Sequence, residues 1–357
     1  MKRIFVFVLM LITLFSVATS FASAEEDGEK GDRFALLDID SGASMGNVNY
    51  FVLRPVMEYD NREGIAVDTM FDGVIFSVNT PPVNGNDAEN IISTLFKNGT
   101  CIPAAETVAG EMKEDGFLDK EFLYPIYVTV PYVCAAFGTT EEKEGFCEYY
   151  IDTLVSVFNG KKYKNIALVG IYLSVDYDAD PTLRAFCVNK AGEKELVSLA
   201  STAVNSDIKG AKTFAANKKI KDQLSSNALN GYTLTLNGVP EDENTAPGDD
   251  LVSDYNALRY EKIGGADLIF KFRAYNDLYD CASAIENTVP NERAREAYDL
   301  VKEIIDCAFD EDFVPVEKPS SQRDWLYYVG AVFALLGSAG ILYVVYVFIR
   351  KGKSDGK

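Results

Sequence analysis

The amino-acid sequence predicts an α/β fold: a (β/α)8-barrel-like ectodomain with a C-terminal single transmembrane helix. Three observations predict it. Short apolar runs alternate with longer amphipathic stretches over most of the chain, the mark of βα units around a parallel sheet. Several runs turn polar on one parity toward their C-terminal ends, as strands do when one face meets helices and the other a barrel mouth. Two apolar segments bracket the rest and place it outside a membrane.

The first bracketing segment opens with Lys2 and Arg3, runs apolar from Ile4 to Val17 and ends at Ala22-Ser23-Ala24. A basic start, a short apolar stretch and small residues at the end describe a secretory signal over residues 1–24. The second, Trp325–Ile349, carries no charge and is long enough to cross a bilayer with some tilt. Arg350, Lys351, Lys353 and Lys357 follow it. Positive residues stay inside, so residues 350–357 form a cytoplasmic tail and the N-terminal domain is extracellular at the cell membrane. Between the brackets lie a short acidic leader (25–34), the barrel domain (35–310) and a juxtamembrane linker (311–324).

Along the barrel domain, strands are expected at Tyr50–Met57, Gly73–Val78, Pro125–Val133, Ile166–Val175, Ala211–Ala216, Gly231–Leu236 and Asp267–Phe272. These are short runs rich in β-branched and aromatic residues. Helices are expected at Ala88–Lys97, Ala105–Glu114, Glu141–Phe158, Lys194–Asn205, Lys219–Ala228 and Leu251–Ile263, where the apolar period lengthens. A helical region, Ala274–Phe309, closes the domain, with Pro290 placed to start a new helix. A doubly wound open sheet is the alternative. It would carry a glycine-rich nucleotide turn, and none follows the first run.

Parity assigns the faces. In Ile166–Asp176, Ala167, Val169, Ile171, Leu173 and Val175 form the outer face, and Leu168, Gly170, Tyr172, Ser174 and Asp176 the inner one. Ser77 and Asn79, Thr235 and Asn237, and Lys271 and Arg273 end the inner faces of three other strands. With Asn217, these residues are expected at the C-terminal mouth. An antiparallel sheet with one wet face shows the same alternation, but the intervening helices argue against it.

Composition excludes several chemistries. The chain of 357 residues has a net charge of −20, so a nucleic-acid partner is not expected. It has no histidine, which removes Ser-His-Asp and Cys-His catalysis and His-based zinc sites. No cofactor and no metal is expected. Asp176, Asp178 and Asp180 alternate as calcium-loop ligands do, but Pro181 stands where such a loop needs Gly, and Cys187 where it needs Glu. A solvated acidic loop is the preferred reading. The six cysteines, Cys101, Cys134, Cys147, Cys187, Cys281 and Cys307, all lie in the exported part, and at least one disulfide is expected there. Cys281 and Cys307, in neighbouring helical segments, are close enough in sequence to approach.

Several segments resemble one family. Phe71-Asp72-Gly73-Val74-Ile75-Phe76 resembles its "FDG-apolar-F" strand. Tyr127-Val128-Thr129-Val130-Pro131-Tyr132 with Phe137-Gly138 resembles its "strand-PY…FG" unit. Leu168-Val169-Gly170-Ile171-Tyr172 resembles its "LVGFYW" strand, and Arg293–Ile305 with Tyr298-Asp299 its closing "R…YD…I" helix. The family is domain of unknown function 4855, bacterial proteins similar to glycosidase-type barrels, and the resemblance covers most of residues 49–306. It implies a Glu shortly after the "FYW" strand and an acidic cluster on a later strand. Here Asp176 takes the first position, Leu173 replaces the Trp, and the later strand carries Lys271 and Arg273.

Two facing carboxyl groups are needed for glycoside hydrolysis. Asp176 is the candidate catalytic residue. Asn79, Tyr132, Tyr172, Asn237, Lys271 and Arg273 are the candidate ligand-binding residues. Asp72 sits before its strand, at the wrong end for a barrel site, and reads as a structural anchor. The leading expectation is a membrane-anchored carbohydrate-binding barrel with weak or no hydrolytic activity. The partners implied are a carbohydrate or a cell-surface molecule, and the membrane through Trp325–Ile349. The alternatives are a surface adhesion scaffold, or an active glycoside hydrolase whose second carboxylate is Asp178 or Glu261.

Overall fold

The computed structural model describes residues 35–40, 48–61, 65–78, 81–133, 137–203, 207–216, 231–236, 267–272, 298–303 and 305–306. Eight parallel strands close a barrel: β1 (Ala35–Asp40), β4 (Gly73–Ser77), β5 (Tyr124–Thr129), β6 (Ile166–Leu173), β7 (Val197–Thr202), β8 (Lys212–Ala216), β9 (Gly231–Leu236) and β10 (Asp267–Phe272). The ring is sealed where β1 pairs with both β4 and β10, Leu37 lying beside Val74 on one side and Phe270 on the other. A hairpin of β2 (Glu58–Asp60) and β3 (Ala66–Thr69) stands outside the ring.

Strand parity sorts the core into two compartments. Leu37, Ile39, Val74, Phe76, Ile126, Val128, Ile171 and Leu173 point outward into the larger core, against the helices. Leu36, Ile75, Tyr127, Tyr172, Leu199, Phe214 and Ile269, one from each of seven strands, fill the lumen as a separate plug. The barrel is therefore packed, not hollow. One detail departs from simple alternation. The β5–β6 register slips between Ile126 and Tyr127, so Val169 packs against the lumen plug while Leu168 joins the outer core. Gly170 and Tyr172 then resume the inward parity.

Two expected elements exchange type. Tyr50–Met57 is a helix, α1, not a strand. Its β-branched and aromatic content resembles a strand, but the Asn49 side chain accepts from Phe51 N at 3.0 Å and Val52 N at 3.4 Å, and this cap starts a helix. Lys194–Asn205, expected helical, contains strand β7 instead. Flanked by β6 and β8 and buried from Ser198 to Thr202, it has no wet face to stamp a period of two on its sequence.

The other described helices are α2 (Asp87–Leu95), α3 (Cys101–Glu114), α4 (Thr140–Lys161) and α5 (Pro181–Glu193). Thr139 and Glu142 form a reciprocal capping box that begins α4. Asp180 caps α5 by accepting from Leu183 N at 3.1 Å, and Pro181 takes the first helical position. Residues 298–303 are helical, within the expected closing region. The expected helices Lys219–Ala228 and Leu251–Ile263 lie outside the described residues, as do the leader, the linker and the Trp325–Ile349 span. Among the described residues no helix is long and apolar enough to cross a membrane.

Candidate functional site

The C-terminal ends of β1, β4 and β5 build a polar layer directly above the apolar plug. Asp38 follows Leu36 by two residues, Ser77 follows Ile75 and Thr129 follows Tyr127, so each shares its neighbour's inward parity. All three are buried. Ser77 Oγ donates to Asp38 Oδ1, and Ser77 Oγ lies 3.0 Å from Thr129 Oγ1. Ser77 has one proton, spent on the carboxylate, so Thr129 must donate to Ser77. The result is a directed chain, Thr129 to Ser77 to Asp38, across three adjacent strands. Lys271 on β10 lies in register with Asp38, and Thr235 of β9 with Lys271.

Asp38 is the residue that inspection of the sequence passed over. Its signal is the alternation in Ala35-Leu36-Leu37-Asp38-Ile39-Asp40, an apolar run with carboxylates on one parity. The run directly follows the acidic leader (25–34), and no strand is expected from the sequence before Tyr50.

Asp176, the expected catalytic residue, stands in a 3-10 turn, Val175–Ala179, just beyond the C-terminal end of β6. It is exposed and accepts from Ser174 Oγ at 3.0 Å. It is thus at the mouth end of the barrel, but outside the buried polar layer. The two carboxylates that follow it have structural work. Asp178 is paired with Arg184 Nη1 and accepts from Ala203 N at 2.8 Å and Thr202 Oγ1 at 3.3 Å, tying the turn to the end of β7. Asp180 caps α5 and meets Lys143 Nζ at 3.3 Å. Asp178 is thus engaged by Arg184, Thr202 and the Ala203 N–H, and among the described residues no group of three or more acidic or cysteine side chains is arranged to hold a metal.

Of the expected aromatic contacts, Tyr132 is half-buried and meets the Tyr177 ring edge-on, with centroids 5.2 Å apart. Tyr172 is 2% exposed and belongs to the lumen plug, so it supports the site from beneath instead of lining it. Asn79, Asn217, Asn237 and Arg273 lie outside the described residues, and Lys271 is described only by its place in β10. Asp72 is at the opposite end of the barrel. Its Oδ2 accepts from Ala35 N at 2.7 Å while its own N–H donates to Ala35 O at 2.9 Å, pinning the first residue of β1. Burial raises its carboxyl, and the Ala35 N–H pulls it partly back.

The described residues at this end of the barrel thus form a buried hydrogen-bond chain that ends on one buried carboxylate.

No family model matches this sequence, and no curated protein is significantly similar to it. Among solved structures, the chain is similar to a GH113 β-1,4-mannanase at 10% identity over 76% of this chain and 99% of that one, with a TM-score of 0.40. It is similar to a type I 3-dehydroquinate dehydratase from Clostridium difficile at 13% identity over 76% of this chain and 93% of that one, with a TM-score of 0.29. Both scores are too low to bear on function, and the barrel rests on its own strand pairing.

Proposed function

We propose that this chain is a membrane-anchored extracellular barrel, akin to the domain of unknown function 4855 proteins, that binds carbohydrate at its C-terminal mouth and hydrolyses it weakly or not at all. The Thr129–Ser77–Asp38 chain carries the reading. Sugars present closely spaced hydroxyls that each donate and accept, and a buried, directed run of hydroxyls ending on a carboxylate gives the floor beneath the mouth fixed polarity. Hydrolysis calls for two carboxyl groups about 5–9.5 Å apart across the sugar. Asp178 and Asp180 are held by Arg184, Lys143 and backbone N–H groups, so Asp176 gains no second carboxylate from its own segment. Anchoring rests on the uncharged Trp325–Ile349 segment and its basic flank.

The test is a glycan array probed with the full chain in detergent, followed by calorimetry on any hit and a turnover screen. The expected result is oligosaccharide binding that falls about tenfold in Thr129→Val, whose melting temperature stays close to that of the parent. Turnover abolished by Asp176→Asn would instead establish a hydrolase. Blank arrays together with a captured surface protein would establish the adhesion scaffold. Protease added to intact cells should remove the ectodomain, and full protection would refute the topology.

A further inference from the structure

Cys147 on α4 and Cys187 on α5 are forty positions apart in sequence and both fully buried. Their sulfurs converge on one oxygen. Cys187 Sγ donates to Tyr177 Oη at 3.9 Å, and Cys147 Sγ lies 3.9 Å from the same atom. Tyr177 Oη donates onward to Pro131 O at 3.1 Å. No disulfide joins them in this structure.

We infer that Cys147 and Cys187 are a disulfide pair, closed when the chain folds in the presence of an oxidant. Two buried thiols that reach one hydroxyl oxygen from packed neighbouring helices are placed for S–S formation, and core packing alone does not call for them. A small hydrophobe such as Ala or Val would fill either position. The oxidant is a low-molecular-weight disulfide. One cysteine thiolate attacks it, forming a mixed disulfide and releasing one thiol. The second cysteine thiolate attacks the mixed disulfide, forming the Cys147–Cys187 bond and releasing the other thiol. Two S–H bonds in the protein are replaced by one S–S bond, and the oxidant's S–S bond becomes two S–H bonds.

Timing follows from burial. In the folded chain both sulfurs are shielded from solvent and Cys187 is held as the thiol by the neighbouring Cys147 and by burial, so reaction with a soluble disulfide is slow. During folding both are accessible, and the bond forms then. The bridge fastens α4 to α5, the helices on either side of β6, and leaves Tyr177 Oη its bond to Pro131 O. Tyr177 lies in the turn that carries Asp176, and Pro131 in the segment after β5, so the bridge stiffens two neighbouring segments of the mouth.

The experiment uses the full chain, unfolded and refolded in detergent with reduced and oxidised glutathione, then alkylated and mapped by mass spectrometry without reductant. The refolding buffer supplies the oxidant, so the result is independent of cellular location and of what the mouth binds. The expected result is a linked peptide pair containing Cys147 and Cys187, about 2 Da lighter than the two reduced peptides together. Reductant should lower the melting temperature by roughly 5 °C or more. The Cys147→Ala/Cys187→Ala double variant should lose that reductant dependence. Separate alkylation of both residues in folded, oxidant-treated protein would overturn the inference, as would a bridge from either one to a different cysteine.

Discussion

Glu58 holds Arg54 Nε at 3.1 Å through one carboxylate oxygen, while its other oxygen is buried with no hydrogen-bond partner among the described residues. The side chain is 1% exposed. Burial is the main reason its carboxyl is raised from 4.5 to about 7; Arg54 pulls it down, while Asp60, Glu111 and Asp115 push it up. A carboxyl raised in the folded state binds its proton more tightly there than in the unfolded chain. Its contribution is fully present below about pH 4.5 and is lost as pH rises through about 7. The difference amounts to about 3 kcal/mol. Melting temperature should therefore fall between pH 5 and pH 8, and Glu58→Gln should flatten that slope. Thermal melts across this range check it, and an unchanged slope in the variant would be the contrary result.

Tyr298 joins the closing helix to the start of the domain. Its hydroxyl lies 2.7 Å from Pro55 O and 3.0 Å from Glu58 O, and accepts from Asp60 N at 3.0 Å. Its ring stacks on Tyr59 with centroids 5.4 Å apart. Tyr298→Phe keeps the stack and removes the hydroxyl that accepts from Asp60 N and reaches Pro55 O and Glu58 O. The expected loss is about 1–3 kcal/mol in denaturant unfolding.

Gly170 faces the lumen at the point where β6 resumes its inward parity. A Cβ there would stand 2.3 Å from Val197 O and 2.9 Å from the Tyr127 ring. The carbonyl belongs to the β6–β7 ladder and cannot retreat without breaking register. Gly170→Ala should cost about 3 kcal/mol, read as a lower denaturation midpoint.

Asp72 and Asp176 should separate cleanly. Asp72→Ala removes the acceptor for Ala35 N and should destabilise by about 1–3 kcal/mol, with ligand affinity preserved in the fraction that stays folded. Asp176 is exposed, and its replacement by Asn should leave stability within about 0.5 kcal/mol while weakening ligand at the mouth. Paired melts and calorimetry on the two variants decide it.

By itself the sequence determined the α/β class, the inward parity of Ser77, Tyr172 and Ile269, and the structural role of Asp72. Each of these leaves a local trace: an alternation of polarity, or a carboxylate placed just before an apolar run. It also held signals that are plain once the elements are known, such as Asn49 capping α1 and Asp180-Pro181 opening α5. The tertiary structure alone decided that Lys194–Asn205 contains a strand and that the slip at Val169 turns Leu168 outward. It alone brought Asp38, Ser77 and Thr129 together from positions 39 and 52 residues apart. The reason is closure. Hydrophobic periodicity records a strand with one wet face, whereas a sealed barrel buries both faces and sets neighbours by sheet order, which no local pattern encodes.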